Sequence, residues 1–431
     1  MLTPWGRSDQ LRDRRLRPGP GKQRADVERN HRERLYGAMV AVVDEEGYEG
    51  MSAAAVAARA GVSRSALYEY FSGSRACFLA TFEALTDEGL ARISRAYVAS
   101  AGPWDARLGK ALDTLFESLV AQPAAARLCF LETYAAGAPG AEPRERAVAA
   151  LEALVRDALD QSPERADAPA EVICAIVGAT RTIVQTRLRR RREHELPELA
   201  PELLRWLSVY QRPDPPLPEI RIRPVAGPRF AATSHRDRIF VALAQAIREK
   251  GYAATSVSDV VTTAGVSLST FYEHFHGKEE AFLAACDFGI EQAIAAVRRA
   301  LEREASAGAD WPSQVRAGMR ELLAFLASEP EWSYMAMVEI FAAGPRARAR
   351  RDRTIELFTG LVKPGRELAP EAGPVTLEAI GGAVYSLMYA AIRQRGAERL
   401  PEILPAAVFV VLAPFVGNGV ASEVAGGDGR A

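Results

Sequence analysis

Apolar positions in this chain recur every three to four residues, the period of a helix that buries one face. Leu35, Met39, Val42 and Val43 mark one such face, which stops at "EGY" (Glu46 to Tyr48). Ile239, Leu243, Ala246 and Ile247 mark another, which stops at "KGY" (Lys250 to Tyr252). No useful length of strand-like alternation interrupts the pattern, and its breaks fall at Gly and Pro, so it predicts an all-α protein. A short helix follows each stop, Ala53 to Ala60 and Val257 to Ala264. Ser52 and Ser256 precede these helices and suit the N-cap, where a hydroxyl oxygen accepts from the free amides of the first turn. Gly61 and Gly265 come next, at positions where a tight turn needs positive φ. Ser63 or Ser267 then caps a further short helix. Two short helices joined through a glycine turn predict a helix-turn-helix at each place.

The two places are copies of one another. "GVSRSALYEYF" (Gly61 to Phe71) returns as "GVSLSTFYEHF" (Gly265 to Phe275) at an offset of 204 positions. The same offset sets Gly47-Tyr48 on Gly251-Tyr252, Phe78-Leu79 on Phe282-Leu283, and "LPELAP" from Leu196 on "LPEILP" from Leu400. "ETYAAG" from Glu132 meets "EIFAAG" from Glu339 at 207, a small insertion. One unit therefore runs from about Asn30 to Gln211 and a second from Ser234 to Gly417. Between them the proline density of Arg212 to Phe230 disfavours helix and predicts a semi-rigid, extended linker. The expected organisation is a basic N-terminal arm (1–29), helix-turn-helix domain (30–78), helical regulatory domain (79–211) and linker (212–233). A second helix-turn-helix domain (234–282), a second regulatory domain (283–417) and a flexible tail (418–431) complete it.

The second helix of such a motif can lie in the major groove, where base edges are readable. Leu67 with Phe71, and Phe271 with Phe275, sit four apart and belong on the buried face. That leaves Arg64, Ser65, Tyr68, Glu69 and Tyr70 outward in the first copy. Leu268, Ser269, Thr270, Tyr272, Glu273 and His274 are outward in the second. Tyr68 and Tyr272 each offer a hydroxyl on a rigid ring, suited to a phosphate oxygen. A lone exposed tyrosine is more often plain surface and a lone arginine a solvated charge; the setting makes these DNA contacts. Arg64 and Leu268 fill the same slot, and arginine chelates guanine whereas leucine only meets a thymine methyl. The two heads are therefore expected to read different bases.

Composition adjusts this picture at a few points. The 431 residues are 48% hydrophobic and 25% charged, with a formal net charge of -1, as in a soluble globular protein without a uniformly basic coat. Arg12, Arg14, Arg15, Arg17, Lys22, Arg24, Arg29, Arg32 and Arg34 cluster near the start. On charge alone they read as a solvated tail; beside a helix-turn-helix they also suit an arm that follows phosphates. The run Arg187 and Arg189 to Arg192 reads as cations complementing the carbonyls of a helix C-terminus. Cys77, Cys129, Cys174 and Cys286 show no metal-ligand spacing and read as reduced, mostly buried thiols of a cytoplasmic protein. The arginine-rich N-terminus has no secretory h-region. "AAVFVVLAPFVG" (Ala406 to Gly417) is too short, and broken by Pro414, to span a bilayer, and reads as a core helix. His31, His194, His235, His274 and His276 form no nucleophile or metal constellation, and no G-x-S-x-G or phosphate-cradling glycine loop is found. An enzyme is disfavoured, and no cofactor, metal or membrane partner is expected.

"GYAATSVSDVVTTAGVSLSTFYEHFHGKEEAFLAAC" (Gly251 to Cys286) resembles the N-terminal DNA-binding domain of the TetR family of bacterial transcriptional regulators. The Gly-Tyr pair, the Ala-Gly-Val-Ser turn, the Phe-Tyr-x-x-Phe helix and the Gly-Lys-Glu that follows stand in the family's order. The first copy resembles it with departures: Met51 stands opposite Thr255, and Ser74, with Arg75 adjacent, opposite Lys278. The resemblance implies two tandem units, each a helix-turn-helix domain followed by a helical ligand and dimerisation domain. It implies contacts to a double-stranded DNA operator from Ser52, Ser63, Arg64, Ser65, Tyr68, Glu69, Tyr70 and Arg75 in the first copy. In the second copy these are Thr255, Ser267, Leu268, Ser269, Thr270, Tyr272, His274 and Lys278.

It further implies repression relieved by a small-molecule effector that moves the fourth helix, opened here by Phe78-Leu79 and Phe282-Leu283. Because both halves lie in one chain, a covalent pseudo-dimer on an imperfect palindrome is expected. Helices Val172 to Leu188 and Leu377 to Ile392, with small Gly178, Ala179, Gly381, Gly382 and Ala383, are expected to meet in a bundle. Further pairing of two chains is left open. Phe116, Phe130, Tyr134, Trp332, Met335, Phe341, Tyr385 and Tyr389 are candidate ligand contacts, although aromatics at helical spacing are more often simple core. Glu132 and Glu339 occupy matching places in apolar surroundings, and either have a protein partner or orient a ligand. The competing expectation, favoured by Met51 and Ser74, is a ligand-binding or interaction protein that has lost DNA binding in one or both heads.

Overall fold

The structure is a computed structural model that describes residues 1–16, 24–221, 230 and 232–427. Among these are nineteen α-helices and one two-stranded hairpin, β1 (Leu2–Thr3) with β2 (Gly6–Arg7). The first copy supplies α1 (Arg24–Gly50), α2 (Ala53–Ala60), α3 (Arg64–Tyr70), α4 (Ser74–Ala99), α5 (Trp104–Ala121), α6 (Pro123–Phe130), α7 (Ala138–Leu159), α8 (Ala170–Arg189) and α9 (Leu196–Ser208). The second supplies α10 (His235–Lys250), α11 (Val257–Ala264), α12 (Leu268–His274), α13 (Lys278–Ser306), α14 (Trp311–Ser328), α15 (Pro330–Met337), α16 (Pro345–Val362), α17 (Pro374–Arg395) and α18 (Leu404–Val416). A last helix, α19 (Asn418–Gly426), follows. Each copy also has a 3₁₀ turn in the same place, Glu132–Tyr134 and Glu339–Phe341.

The chain divides into two compact units. One holds Met1–Leu154 with Val184–Pro201; the other holds Val155–Ile183 with Glu202–Ala431. The division cuts α7, α8 and α9, so the second unit contains parts of the first copy.

In the first unit, α1, α2, α3 and the start of α4 close over Leu35, Met39, Val56, Leu67, Phe78 and Phe82, and Leu128 of α6 joins the same core. The N-terminus departs from expectation. Residues 1–16 are a folded piece rather than an arm: Leu11 is fully buried against Gly37, and the Trp5 ring packs tilted against Tyr36 at 5.1 Å. Burial of one leucine is worth about 2 kcal/mol, enough to hold a short hairpin down. Arg17 and Lys22 lie outside the described residues, while Arg24 and Arg29 pair with Glu28 and Asp26. The later arginine run also finds acids: Arg187 reaches Glu195 at 3.2 Å, and Arg191 reaches Asp44 at 3.8 Å.

In the second unit, the first copy's helices meet the second copy's. Gly178 of α8 abuts Ser386 of α17, and a Cβ on Gly382 would come within 2.8 Å of the Thr182 Cβ. Past the end of α9, the buried Tyr210 hydroxyl donates to the Val410 carbonyl of α18 at 2.8 Å. Asn418 clasps the same stretch, accepting from the Gln211 amide at 3.0 Å and donating to the Val209 carbonyl at 2.7 Å. Gly178 and Gly382 allow this approach, whereas Gly381, also expected here, packs against Thr359 and Ile355 of α16. The expected tail is instead helix α19, with Ala421 and Ala425 buried; residues 428–431 lie outside the described part. Of the linker, 212–221 is non-helical coil and 222–229 lies outside the described part. Two stretches, Pro374–Arg395 and Ala397–Val416, are long and apolar enough to cross a membrane, and both are mostly buried inside the unit. Each regulatory domain begins inside a helix, because α4 and α13 run unbroken past Phe78 and Phe282.

Candidate nucleic-acid interface

Each head is built by local rules that the sequence states openly. Ser52 accepts from the Ala55 amide at 3.1 Å, and Ser63 from the Ala66 amide at 3.0 Å. In the second copy Ser256 and Asp259 form a full capping box, and Ser267 accepts from the Thr270 amide at 3.0 Å. Gly61 (φ 64) and Gly265 (φ 61) make the left-handed turns between the paired helices. Leu67, Phe71, Phe271 and Phe275 are buried, which leaves the opposite faces of α3 and α12 outward.

On those faces Tyr68 is 51% exposed and Tyr272 52%, the same residue held at the same degree of protrusion. Leu268 is also 52% exposed, an apolar side chain in water with no intramolecular reason to be there. Arg64, Ser65, Glu69, Ser269, His274 and Arg75 are exposed, and Thr270 is half-buried. Ser267 spends its oxygen on the cap and on Ser269 and Thr270.

Three expected contact residues sit elsewhere. Tyr70 turns back on α1, with its hydroxyl 3.0 Å from His31 Nδ1 and Arg32 over its ring. Thr255 is 2% exposed, and its hydroxyl donates to the Gly251 carbonyl at 2.8 Å. Lys278 is half-buried and donates to the carbonyls of Tyr252 (2.7 Å) and Thr255 (2.8 Å), over the Tyr252 ring. Helical spacing places Tyr70 outward, and the family resemblance puts Thr255 and Lys278 at DNA.

The heads differ behind the turn. Arg12 donates twice to the Ala58 carbonyl (3.0 and 2.7 Å), and buried Arg34 to those of Ala60 and Gly61 (2.6 and 2.7 Å). A Cβ on Gly61 would meet Arg12 and Arg34, whereas one on Gly265 would meet nothing within 4 Å.

Each head is tied to its regulatory domain by one repeated bond. The Tyr48 amide donates to Glu132 Oε2 at 3.1 Å, and the Tyr252 amide to Glu339 Oε2 at 2.7 Å. Gly47 (φ 73) and Gly251 (φ 77) turn the chain so that these amides face the glutamates. The tyrosine rings pack edge-on against Phe78 and Phe282, at 4.8 and 5.1 Å. Both glutamates are thus partner-satisfied.

The second regulatory domain holds a partly open cavity of about 130 Å³. Trp332 and Tyr385 line it, as expected; Met335, Phe341 and Tyr389 do not. Met337, an aliphatic neighbour of these aromatics that the sequence also offers, lines it too, and Ile340 and Arg351 are added. Arg351 was not legible because "RARARRDR" from Arg346's neighbourhood reads as a solvated charged face. In the first copy Phe116 is buried core, and Gln185 donates to the Phe130 carbonyl and the Tyr134 hydroxyl, each at 3.1 Å.

Residues 37–81 and 239–285 each match the bacterial regulatory proteins of the tetR family. This chain is a TetR-family regulator with two tandem units. The HTH-type transcriptional activator FasR of Mycolicibacterium smegmatis is 23% identical to it over 163 residues, 37% of this chain and 73% of FasR. The uncharacterized HTH-type regulator YerO of Bacillus subtilis is 34% identical over 55 residues, 13% of this chain and 19% of YerO. Among solved structures, the TetR-family regulator PfmR of Thermus thermophilus is 28% identical, with a TM-score of 0.34, covering 42% of this chain and 96% of PfmR. The fatty acid degradation regulator FadR of Bacillus halodurans is 16% identical, with a TM-score of 0.38, covering 44% of this chain and 96% of FadR. The TetR-family chain is accordingly a DNA-binding transcriptional regulator.

Proposed function

We propose that the chain is a repressor that grips one imperfect palindrome with both heads, acting as a covalent pseudo-dimer, and lets go when a small effector enters the second copy's cavity. The observation that carries this reading is the seam of the second unit, where α8 meets α17 and the end of α9 meets α18. These are equivalent helices of the two copies, and self-complementary pairing of equivalent surfaces is how two-fold dimers form. Arg64, Ser65, Tyr68, Glu69 and Arg75 face one half-site; Leu268, Ser269, Thr270, Tyr272 and His274 face the other. Thr255 and Lys278 position the second head from within. The effector part is supported by the cavity wall, because Met337 and Ile340 flank Glu339, which holds Tyr252.

Selection of DNA from a random pool by the purified full-length chain, with the number of chains per site counted, tests the reading. One chain on an asymmetric pair of half-sites is expected. A fully symmetric site occupied only by two whole chains overturns it. The name of FasR favours a second reading, activation from the same operator. A reporter behind the selected site separates the two: removing the chain raises expression for a repressor and lowers it for an activator.

A further inference from the structure

We infer that the N-terminal hairpin, through Arg12, is a positioning element that sets α3 for DNA, the task that Lys278 performs for α12 in the second head. This rests on reading both heads as DNA-binding. Helices α2 and α3 have eight and seven residues, and helices shorter than about 12 residues are marginal on their own. Groups outside the pair must therefore fix it, and the two heads fix it at opposite ends.

In the second head the anchor is at the front. Lys278 donates to the carbonyls of Tyr252 and Thr255, immediately before the Ser256 cap of α11. The Thr255 hydroxyl ties the same stretch back to the Gly251 carbonyl. The first head lacks both groups, with Ser74 in place of Lys278 and Met51 in place of Thr255.

Its anchor lies at the end of α2 instead. Arg12 donates through Nε and Nη2 to the Ala58 carbonyl, at 3.0 and 2.7 Å, beside the bonds of Arg34 to Ala60 and Gly61. Cations on the carbonyls of a last turn complement the helix dipole, and charge-assisted bonds are the strong ones. The hairpin is itself pinned to α1. Leu11 packs against Gly37, while Asn30 accepts from the Leu16 amide at 3.4 Å and donates to the Arg14 carbonyl at 3.0 Å. Arg12 is thus a strut from α1 to the end of α2. The fit is close, since a Cβ on Gly61 would come within 2.5 Å of the Arg12 Cγ. Arg34 beneath it is 2% exposed, whereas Arg238, at the matching place in the second head, is half-buried. Gly61 leads through Ser63 directly into Arg64, so any shift of α2's last turn passes to the outward face of α3.

Arg12→Ala and Arg12→Lys in the full-length chain test this, on the DNA that the wild type selects and on its single-base variants. Arg12→Ala is expected to weaken binding about tenfold and to flatten base preference in the first head's half-site alone. Arg12→Lys, which keeps a donor for Ala58, is expected to recover most of the loss, and the salt dependence is expected to stay as in the wild type. A uniform loss across sequences with a salt slope smaller by about one marks Arg12 as a direct phosphate contact and overturns the inference. Hydrogen exchange without DNA gives a second reading: in Arg12→Ala the Gly61 and Val62 amides are expected to exchange about tenfold faster, with Gly265 and Val266 unchanged. Unchanged rates at Gly61 and Val62, or unmoved base preference, sink the inference alone. A wild-type chain that selects no DNA fells the reading beneath it and the inference together.

Discussion

Residues that look alike along the chain have been put to different uses. Arg64 and Leu268 share one slot on α3 and α12 and both stand exposed, one a fork of donors, the other a methyl-bearing wedge. Arg64→Ala should weaken operator binding about tenfold and relax preference at one base pair, whereas Leu268→Ala should relax the other half-site only; quantitative binding to single-base operator variants reads both. Glu132 and Glu339 make the same bond to the same backbone amide. Replacing Glu339 by Ala should cost about 2 kcal/mol and accelerate hydrogen exchange at the Tyr252 amide, leaving the Tyr48 amide protected. His31 has no such twin in behaviour, since His235 is exposed. Burial, and then the nearby Arg34 and Arg15, hold the His31 imidazole below its ordinary value of 6.5, against a smaller opposing pull from Glu69. The unfolded chain therefore binds the proton first. Stability from this site is full above 6.5 and declines as pH falls below it. Thermal melts from neutral pH to about pH 5 should show that decline, and His31→Phe should flatten it.

At the scale of elements, the clearest departure is the N-terminal hairpin. Leu11→Ala should destabilise the first head by about 3 kcal/mol, read as a lower denaturant midpoint, because it empties a fully buried site against Gly37. The capped helices were legible beforehand, since caps, glycine turns and four-residue apolar spacing are local signals carried by Ser52, Ser63, Gly61, Leu67 and Phe71. The hairpin was not, because its hydrophobic residues are few and its arginines dominate the reading; what makes it fold is a distant partner, Gly37. The same limit hid the inward turns of Tyr70 and Lys278. Both are chemically suited to phosphate, and only the three-dimensional placement of His31 and of the Tyr252 and Thr255 carbonyls draws them in. Helix α19 was missed for a related reason, as its alanines and glycines carry little periodic signal until Asn418 is seen clasping the backbone of Val209 and Gln211.

For the molecule as a whole, the second copy is finished by pieces of the first. Residues 234–427 expressed alone would lay bare the faces of α17 and α18 that Gly178, Thr182 and Tyr210 cover. That fragment should self-associate, and sedimentation should show dimers where the intact chain gives a smaller tendency to pair. The seam's two glycine contacts occupy equivalent places yet are not identical: Gly178 faces Ser386, and Gly382 faces Thr182. In an assembly of two identical polypeptides, any substitution there is made twice and must be tolerated on both sides at once. Here it is made once, against a neighbour that can vary independently. Fusion of the halves thus removes the symmetry constraint on mutation, so that under the proposed function one half is free to specialise in listening while both keep to reading.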